Sequence, residues 1–435
     1  MNVLTRLLAA AFILLALAPL RAPAELDPVE RRLAAAIERE HAQALALLRR
    51  VVNINSGTMN FAGVRAVGDA FRAELDALGF ATEWIDGAPF GRAGHLVARR
   101  HRGGRLRLLL IGHLDTVFEP DSPFQRFERV SATEARGPGI IDMKGGDVII
   151  VSTLKALRAE GVLEGVDISV IMTGDEEDMG EAPLSRAALV DAARRTDIAL
   201  AFEDGAGDPA RAVVARRGHT EWTLRVTARA SHSSQIFQDD VGAGAIFEAS
   251  RVLSSMRERF AREPMLTLSA GLLLGGTSLE LDAAHAHGTA SGKSNVVPGD
   301  AVAVGDLRAA SAEELADAKR TIEAIAATPL PHTSSRVTFS DGYPPMASTP
   351  GNERLLALYD RVSRDLGTGP VAPTHPRDAG AADVSFAAVH VEMALDGIGL
   401  MGRGGHTVGE TADVRTLLTQ TQRAAVLIHR LIATR

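Results

Sequence analysis

Cysteine is absent from the 435-residue chain. That absence excludes disulfides, thiolate metal sites and cysteine nucleophiles, so any metal must be held by His and carboxylate ligands. It also excludes a lipoprotein anchor, which needs a Cys at the cleavage point. Basic excess is missing too: 47 Lys and Arg face 54 Asp and Glu, a formal net charge of −7. A nucleic-acid binder would carry a basic stripe, so no nucleic-acid partner is expected. There is no Gly-x-Ser-x-Gly elbow, which argues against a serine hydrolase. Gly145-Gly146 and Gly275-Gly276 lack the Lys-Ser/Thr pattern of a phosphate loop. Beyond residue 24 no stretch is apolar enough to cross a bilayer.

The remaining composition is that of a globular protein, 46% hydrophobic and 23% charged, enough for a sizeable core. The first 24 residues stand apart. Arg6 precedes an apolar run, Leu7 to Leu20, and Ala22-Pro23-Ala24 places small residues where a signal peptidase reads them. The run is 14 residues, against the ~20 a spanning helix needs. Residues 1–24 are therefore expected to be a cleaved export signal, giving a periplasmic or secreted protein without a stable membrane anchor. Loss of Arg6 and Arg21 takes the net charge from −7 to −9.

Helical spacing runs over Val29–Arg50 and again through Val64, Val67, Phe71, Leu75 and Leu78, with Gly79 placed as a C-terminal cap. Strands are predicted at Phe80–Ile85, Leu106–Gly112, Val166–Thr173 and Ile198–Phe202. The last three are short and continuously apolar, as strands buried on both faces are. Helices at Asp147–Glu160 and Pro183–Arg195 alternate with them. The expected class is α/β, a mixed, mostly parallel sheet flanked by helices. From about residue 217 the pattern changes. Glu221–Thr227 alternates polar and apolar residues, followed by a helix at Gly244–Phe260 and strands at Leu266–Leu274 and Ala301–Leu307. A capped helix at Ser311–Ala327 and a strand at Arg336–Phe339 complete a β-α-β-β-α-β order, expected to be a ferredoxin-like insert. After Tyr343-Pro344-Pro345 the chain returns to helix and strand. The expected organisation is a discontinuous domain, 25–216 and 342–435, interrupted by an inserted domain, 217–341.

Ionisable residues cluster at the ends of the predicted parallel strands. His113-Leu114-Asp115 follows the first apolar strand, Asp175-Glu176-Glu177 the second and Glu203 the third, while Asp142 closes Gly137-Pro138-Gly139-Ile140-Ile141-Asp142. In an open α/β sheet, ligands gather at the carboxyl ends of strands. Converging carboxylates without a nearby Lys repel one another unless a cation is present, and a ligating His commonly gives its second N–H to a carboxylate. With His and oxygen ligands alone, zinc is the expected metal. His285 and His287 sit in a Gly-flanked stretch read as a surface loop. His95, His101, His219 and His375 have no matching acidic partner and are expected to be exposed or capping.

Taken together, these segments resemble the dinuclear zinc carboxypeptidase and deacylase family, whose members include glutamate carboxypeptidase, aminoacylase, acetylornithine deacetylase and succinyl-diaminopimelate desuccinylase. The resemblance runs through Gly112–Val117, Gly137–Gly146, Thr173–Glu177, Phe202-Glu203, Ala230–Ser233, Ser294–Pro298 and Gly404-Gly405-His406. It implies two Zn2+ ions per chain, with Co2+ or Mn2+ as substitutes, bridged by Asp142. His113 and Glu203 would complete one ion's ligands and Glu177 with His406 the other's. Asp115 would orient His113, and Glu176 would be the general base. The peptide bond Asp142-Met143 would be cis. The resemblance further implies a homodimer formed by the inserted domain, with His232 reaching the partner's active site to stabilise an oxyanion. Asn295 and Arg308 would bind the substrate's terminal carboxylate, whereas Arg211 fits a substrate contact only loosely. Glutamate-specific members place an Arg where Tyr343 stands, so a Tyr hydroxyl would have to replace it. The implied activity is cleavage of an amide bond beside a free carboxylate in a small peptide. An aminoacylase or dipeptidase acting on N-acyl amino acids or dipeptides, and a non-catalytic periplasmic peptide-binding protein, are the competing readings.

Overall fold

The computed structural model describes residues 26–282 and 287–434, so the expected export signal and His285 lie outside the described residues. The first helix, Pro28–Val52, starts where the sequence dictates. Asp27 accepts the N–H groups of Val29 and Glu30, and the Glu30 side chain returns a bond to Asp27 N–H. It packs with Gly145–Ala159 and Arg415–Ala433.

These helices lie on a six-stranded sheet ordered 81–86, 94–100, 166–173, 106–113, 198–201 and 393–395. The first two pairings are antiparallel and the remaining three parallel. The apolar run at residues 106–113 explains its central place. Leu108 and Leu110 enter the core beneath the helices, while Leu109 and Ile111 enter a second core with Leu189, Val384 and Ala387. Both faces are buried, so no polar alternation survives.

The segment from 218 to 341 builds its own sheet, ordered 267–276, 300–309, 218–228 and 333–341, antiparallel throughout. Trp222, Leu224 and Val226 point to a separate core shared with helices Ala245–Phe260 and Ala312–Ala326. Their alternate neighbours Glu221 and Arg225 are exposed. Strand order and connectivity are ferredoxin-like, so the molecule has the expected fold class.

Several elements differ from expectation. Strands Gly94–Arg100 and Met393–Leu395 carry no separate sequence signal. His287 opens a strand, paired as a hairpin with Ser278–Asp282, rather than lying in a loop. The helix expected at Pro183–Arg195 is only Ala187–Ala193, because Ser185 and Arg186 turn their side chains onto Asp175. Ser311 caps Glu314 N–H as expected, but the Glu314 carboxylate returns to Ala310 N–H. Among the described residues no helix is long and apolar enough to cross a membrane.

Candidate metal centre

Three adjacent parallel strands present ionisable groups at one edge. In the ladder His113 pairs with Thr173 and Ile111 with Ala201, so His113, the Asp175-Glu176-Glu177 turn and Glu203 emerge side by side. Asp142 arrives on the segment before helix Gly145–Ala159, and its bond to Met143 is cis. That loop sits close because Gly146 has no side chain: a Cβ there would lie 2.0 Å from the Phe202 carbonyl oxygen. His406 comes from the loop after residue 403, at φ +62°, a left-handed conformation uncommon outside glycine.

These residues form two groups, His113–Asp142–Glu203 and Asp142–Glu177–His406, each with one ligand atom per residue and all atoms within 4.8 Å. His113 Nε2 lies 3.1 Å from Asp142 Oδ1 and 3.5 Å from Glu203 Oε1. His406 Nε2 lies 2.9 Å from Asp142 Oδ2 and 3.1 Å from Glu177 Oε2. Asp142 thus offers one oxygen to each group. Glu176 belongs to neither.

Asp115, fully buried, organises this edge. Its carbonyl lies 3.2 Å and its carboxylate 3.4 Å from His113 Nδ1, which leaves Nε2 turned to the centre. Its carboxylate also accepts the N–H groups of Glu176 and Glu177, both at 3.0 Å, and the Thr58 hydroxyl at 2.7 Å.

The electrostatics call for a cation. Burial, reinforced by Asp142, pushes Glu177 up to about 7, and burial likewise raises Glu203 and holds Glu176 well above the ordinary carboxyl value. Asp142 is held low despite burial because His113 and His406 both contact it, and His406 is raised to about 11 by Asp142 and Glu177. Among the described residues the ion pairs of Asp142, Glu177 and Glu203 are with these histidines only. Imidazole and carboxylate donors, preformed and partly desolvated, fit divalent metal ions, which would relieve the repulsion.

The profile of the peptidase family M20/M25/M40 matches residues 109–431, which contain every one of these groups. The chain belongs to that family. It is 28% identical to carboxypeptidase G2 of Pseudomonas sp. (strain RS-16) over 396 residues, 89% of each chain. It is 27% identical to acetylornithine deacetylase of Pasteurella multocida over 217 residues, 47% of this chain and 54% of that protein. Among solved structures it resembles aminopeptidase PepT of Bacillus cereus, with a TM-score of 0.69 at 17% identity, over 90% of this chain and 99% of that one. A dinuclear metal binding peptidase of the same family from Bacillus subtilis aligns with a TM-score of 0.64 at 15% identity, over 92% and 100%. The protein is thus a metal-dependent hydrolase of the M20/M25/M40 peptidases.

Other candidate residues of this M20/M25/M40 peptidase lie elsewhere. His232 is exposed, with Nδ1 2.8 Å from Ser234 Oγ, and its strand pairs with Val296-Val297 beside exposed Asn295. Arg308 donates to Asp306 at 2.8 Å. These contacts all stay within the 218–341 segment, so one chain does not bring the three residues to the centre by any of them. Arg211 donates to the Pro373 carbonyl.

Two histidines and one tyrosine require correction. His95 is buried, not exposed: it bonds Ser185 O at 2.7 Å, accepts Gly174 N–H at 3.2 Å and lies 4.0 Å from Asp175. His219 has an acidic partner, Asp306, at 3.5 Å. Tyr343 has no hydroxyl proton to offer a substrate, because it is donated to the Glu176 carbonyl at 2.6 Å.

Sequence reasoning missed the residues that hold the ligands from behind. Buried Glu410 accepts Gly139, Ile141 and Asp142 N–H groups at 2.9, 2.8 and 3.3 Å and so shapes the Asp142 loop. Buried Asp396, paired with Arg216 at 2.8 Å, accepts Glu203 N–H at 3.2 Å. Their partners are remote in sequence, so no local pattern marks them.

Proposed function

We propose that this protein is an exported dizinc hydrolase that cleaves the amide bond beside a free carboxylate, releasing the C-terminal amino acid of a small peptide. The observation that carries this reading is the pair of ligand groups sharing Asp142, with the unligated Glu176 carboxylate next to Glu177. Similarity to carboxypeptidase G2 over 89% of both chains supports the choice of bond.

His113, Asp142 and Glu203 would hold one ion, and Asp142, Glu177 and His406 the other. When bound, divalent ions supply Lewis acidity, which makes water nucleophilic near neutral pH and polarises a carbonyl. Glu176 takes the proton from the attacking water and returns it to the leaving amine. Glu177, whose carboxylate faces His406, is kept out of that proton traffic. Asn295 and Arg308 bind the terminal carboxylate, where an Arg fork suits a planar acceptor. Within a homodimer, His232 of the 218–341 segment would serve the partner's centre as an oxyanion donor.

A second reading, an aminoacylase or dipeptidase of the same family, is favoured by Tyr343. Because its proton goes to Glu176 O, an acidic substrate side chain gains no donor from it. Neutral side chains are then as well suited as glutamate.

The test is hydrolysis of N-acyl-glutamate, N-acyl-aromatic and dipeptide substrates before and after chelation. Chelator-sensitive release of a free amino acid, restored by Zn2+, supports the reading, and the panel ranks the two alternatives. No turnover with any amide, despite bound metal, would overturn it. His232→Ala should lower turnover with metal content unchanged, whereas full activity in a strictly monomeric enzyme would contradict the cross-dimer role.

A further inference from the structure

Behind the turn that carries Glu176 lies a buried polar network that none of the steps above uses. Arg186, 1% exposed, donates from Nη1 to Asp175 Oδ1 at 2.6 Å and from Nε to Asp383 Oδ1 at 2.7 Å. The Thr173 hydroxyl donates to the other Asp383 oxygen at 2.5 Å. Arg186 Nη2 reaches the Asp175 carbonyl at 3.1 Å and the Tyr343 hydroxyl oxygen at 3.0 Å. Tyr343 sends its own proton to the Glu176 carbonyl at 2.6 Å, and its ring packs edge-on against Phe386.

The position of that last bond is the informative part. The Glu176 carbonyl and the Glu177 N–H are the two poles of one planar peptide unit. Tyr343 holds the oxygen pole, and Asp115 Oδ2 holds the N–H pole at 3.0 Å. The plane joining the base to the ligand is therefore clamped from both sides, by buried Asp115 and half-buried Tyr343. The guanidinium at the Tyr343 oxygen polarises the O–H and strengthens its bond to the carbonyl.

We infer that Tyr343, held by Arg186, is a positioning residue that fixes the Glu176–Glu177 peptide plane, so that the base and the neighbouring ligand keep separate orientations. This rests on the proposed role of Glu176. A base displaced by a fraction of an ångström loses much of its rate while substrate binding persists.

The test is Tyr343→Phe, which deletes one hydroxyl and keeps the ring, with Arg186 still paired to Asp175 and Asp383. Tyr359→Phe is the control, since its hydroxyl also makes an internal hydrogen bond, to Gln420 at 3.1 Å, but away from the Glu176 turn. Two readouts are taken: amide hydrogen exchange at residues 174–178, and steady-state kinetics with metal content. Tyr343→Phe should exchange about tenfold faster there and lose about 10- to 100-fold in kcat, with KM and metal content unchanged. Tyr359→Phe should match wild type in both. Unchanged exchange in Tyr343→Phe, or a KM rise with kcat intact, would overturn the inference. Exchange judges the clamp even if no substrate turns over, in which case the proposed function fails and the clamp is decided separately.

Discussion

Asp115 Oδ1 accepts the backbone N–H of Glu176 at 3.0 Å. The residue two positions after the first ligand histidine therefore also fixes the start of the proposed base, although the two follow different strands. One carboxylate thus touches both a candidate metal ligand and the proposed base.

Replacing that carboxylate tests the coupling. Asp115→Asn keeps the volume but turns an amide NH2 toward N–H groups that now have an acceptor. Metal affinity should fall about 10- to 100-fold, and kcat should fall even at saturating metal. Calorimetric metal titration and kinetics check both. Unchanged affinity would mean that the Asp115 carbonyl orients His113 without help from the carboxylate.

Glu410→Ala removes the acceptor of three N–H groups on the Asp142 loop, two of them buried. Each orphaned donor costs about 1–3 kcal/mol before relaxation, so a net loss of about 2–4 kcal/mol is expected, read by denaturant unfolding. Metal affinity should weaken as well. A stability within ~0.5 kcal/mol of wild type would show that the loop holds itself.

Glu248 predicts a pH dependence far from the centre. It is fully buried and accepts the Arg251 fork, Leu330 N–H and the Ser335 hydroxyl. Burial alone would raise its carboxyl, but these bonds outweigh it and hold the value below the ordinary one. A depressed value contributes stability above the unfolded-state pKa, and that contribution is lost as pH falls through the folded-state value. Glu248→Gln should therefore cost about 1–3 kcal/mol at pH 7, and the difference should shrink toward zero in acid. A pH-independent difference would assign the loss to packing instead.

Much of the fold was legible because periodicity and burial agree. Val166–Thr173 reads as a strand from its unbroken apolar run, and Trp222, Leu224 and Val226 alternate as a half-exposed strand must. His113, Glu177 and Glu203 were legible because each follows a strand end, whereas Asp142 was marked by its Gly-rich segment and His406 only by the family resemblance. Strand Gly94–Arg100 was missed because His95 and Arg100 break its pattern, though both are buried with partners at 2.7 and 2.6 Å. Glu410, Asp396 and Arg186 were missed for a different reason. Each is an ordinary charged residue locally, and its role comes from a partner brought by the tertiary fold, 193 residues away for Asp396 and Glu203.

Glu176 is proposed to move the proton without holding metal. Glu176→Gln should be assayed for kcat and for metal content in the same preparation. About two metal ions per chain are expected, as in the proposed dinuclear site, with kcat lowered about 10²- to 10⁴-fold. Near wild-type turnover with both ions bound would contradict it.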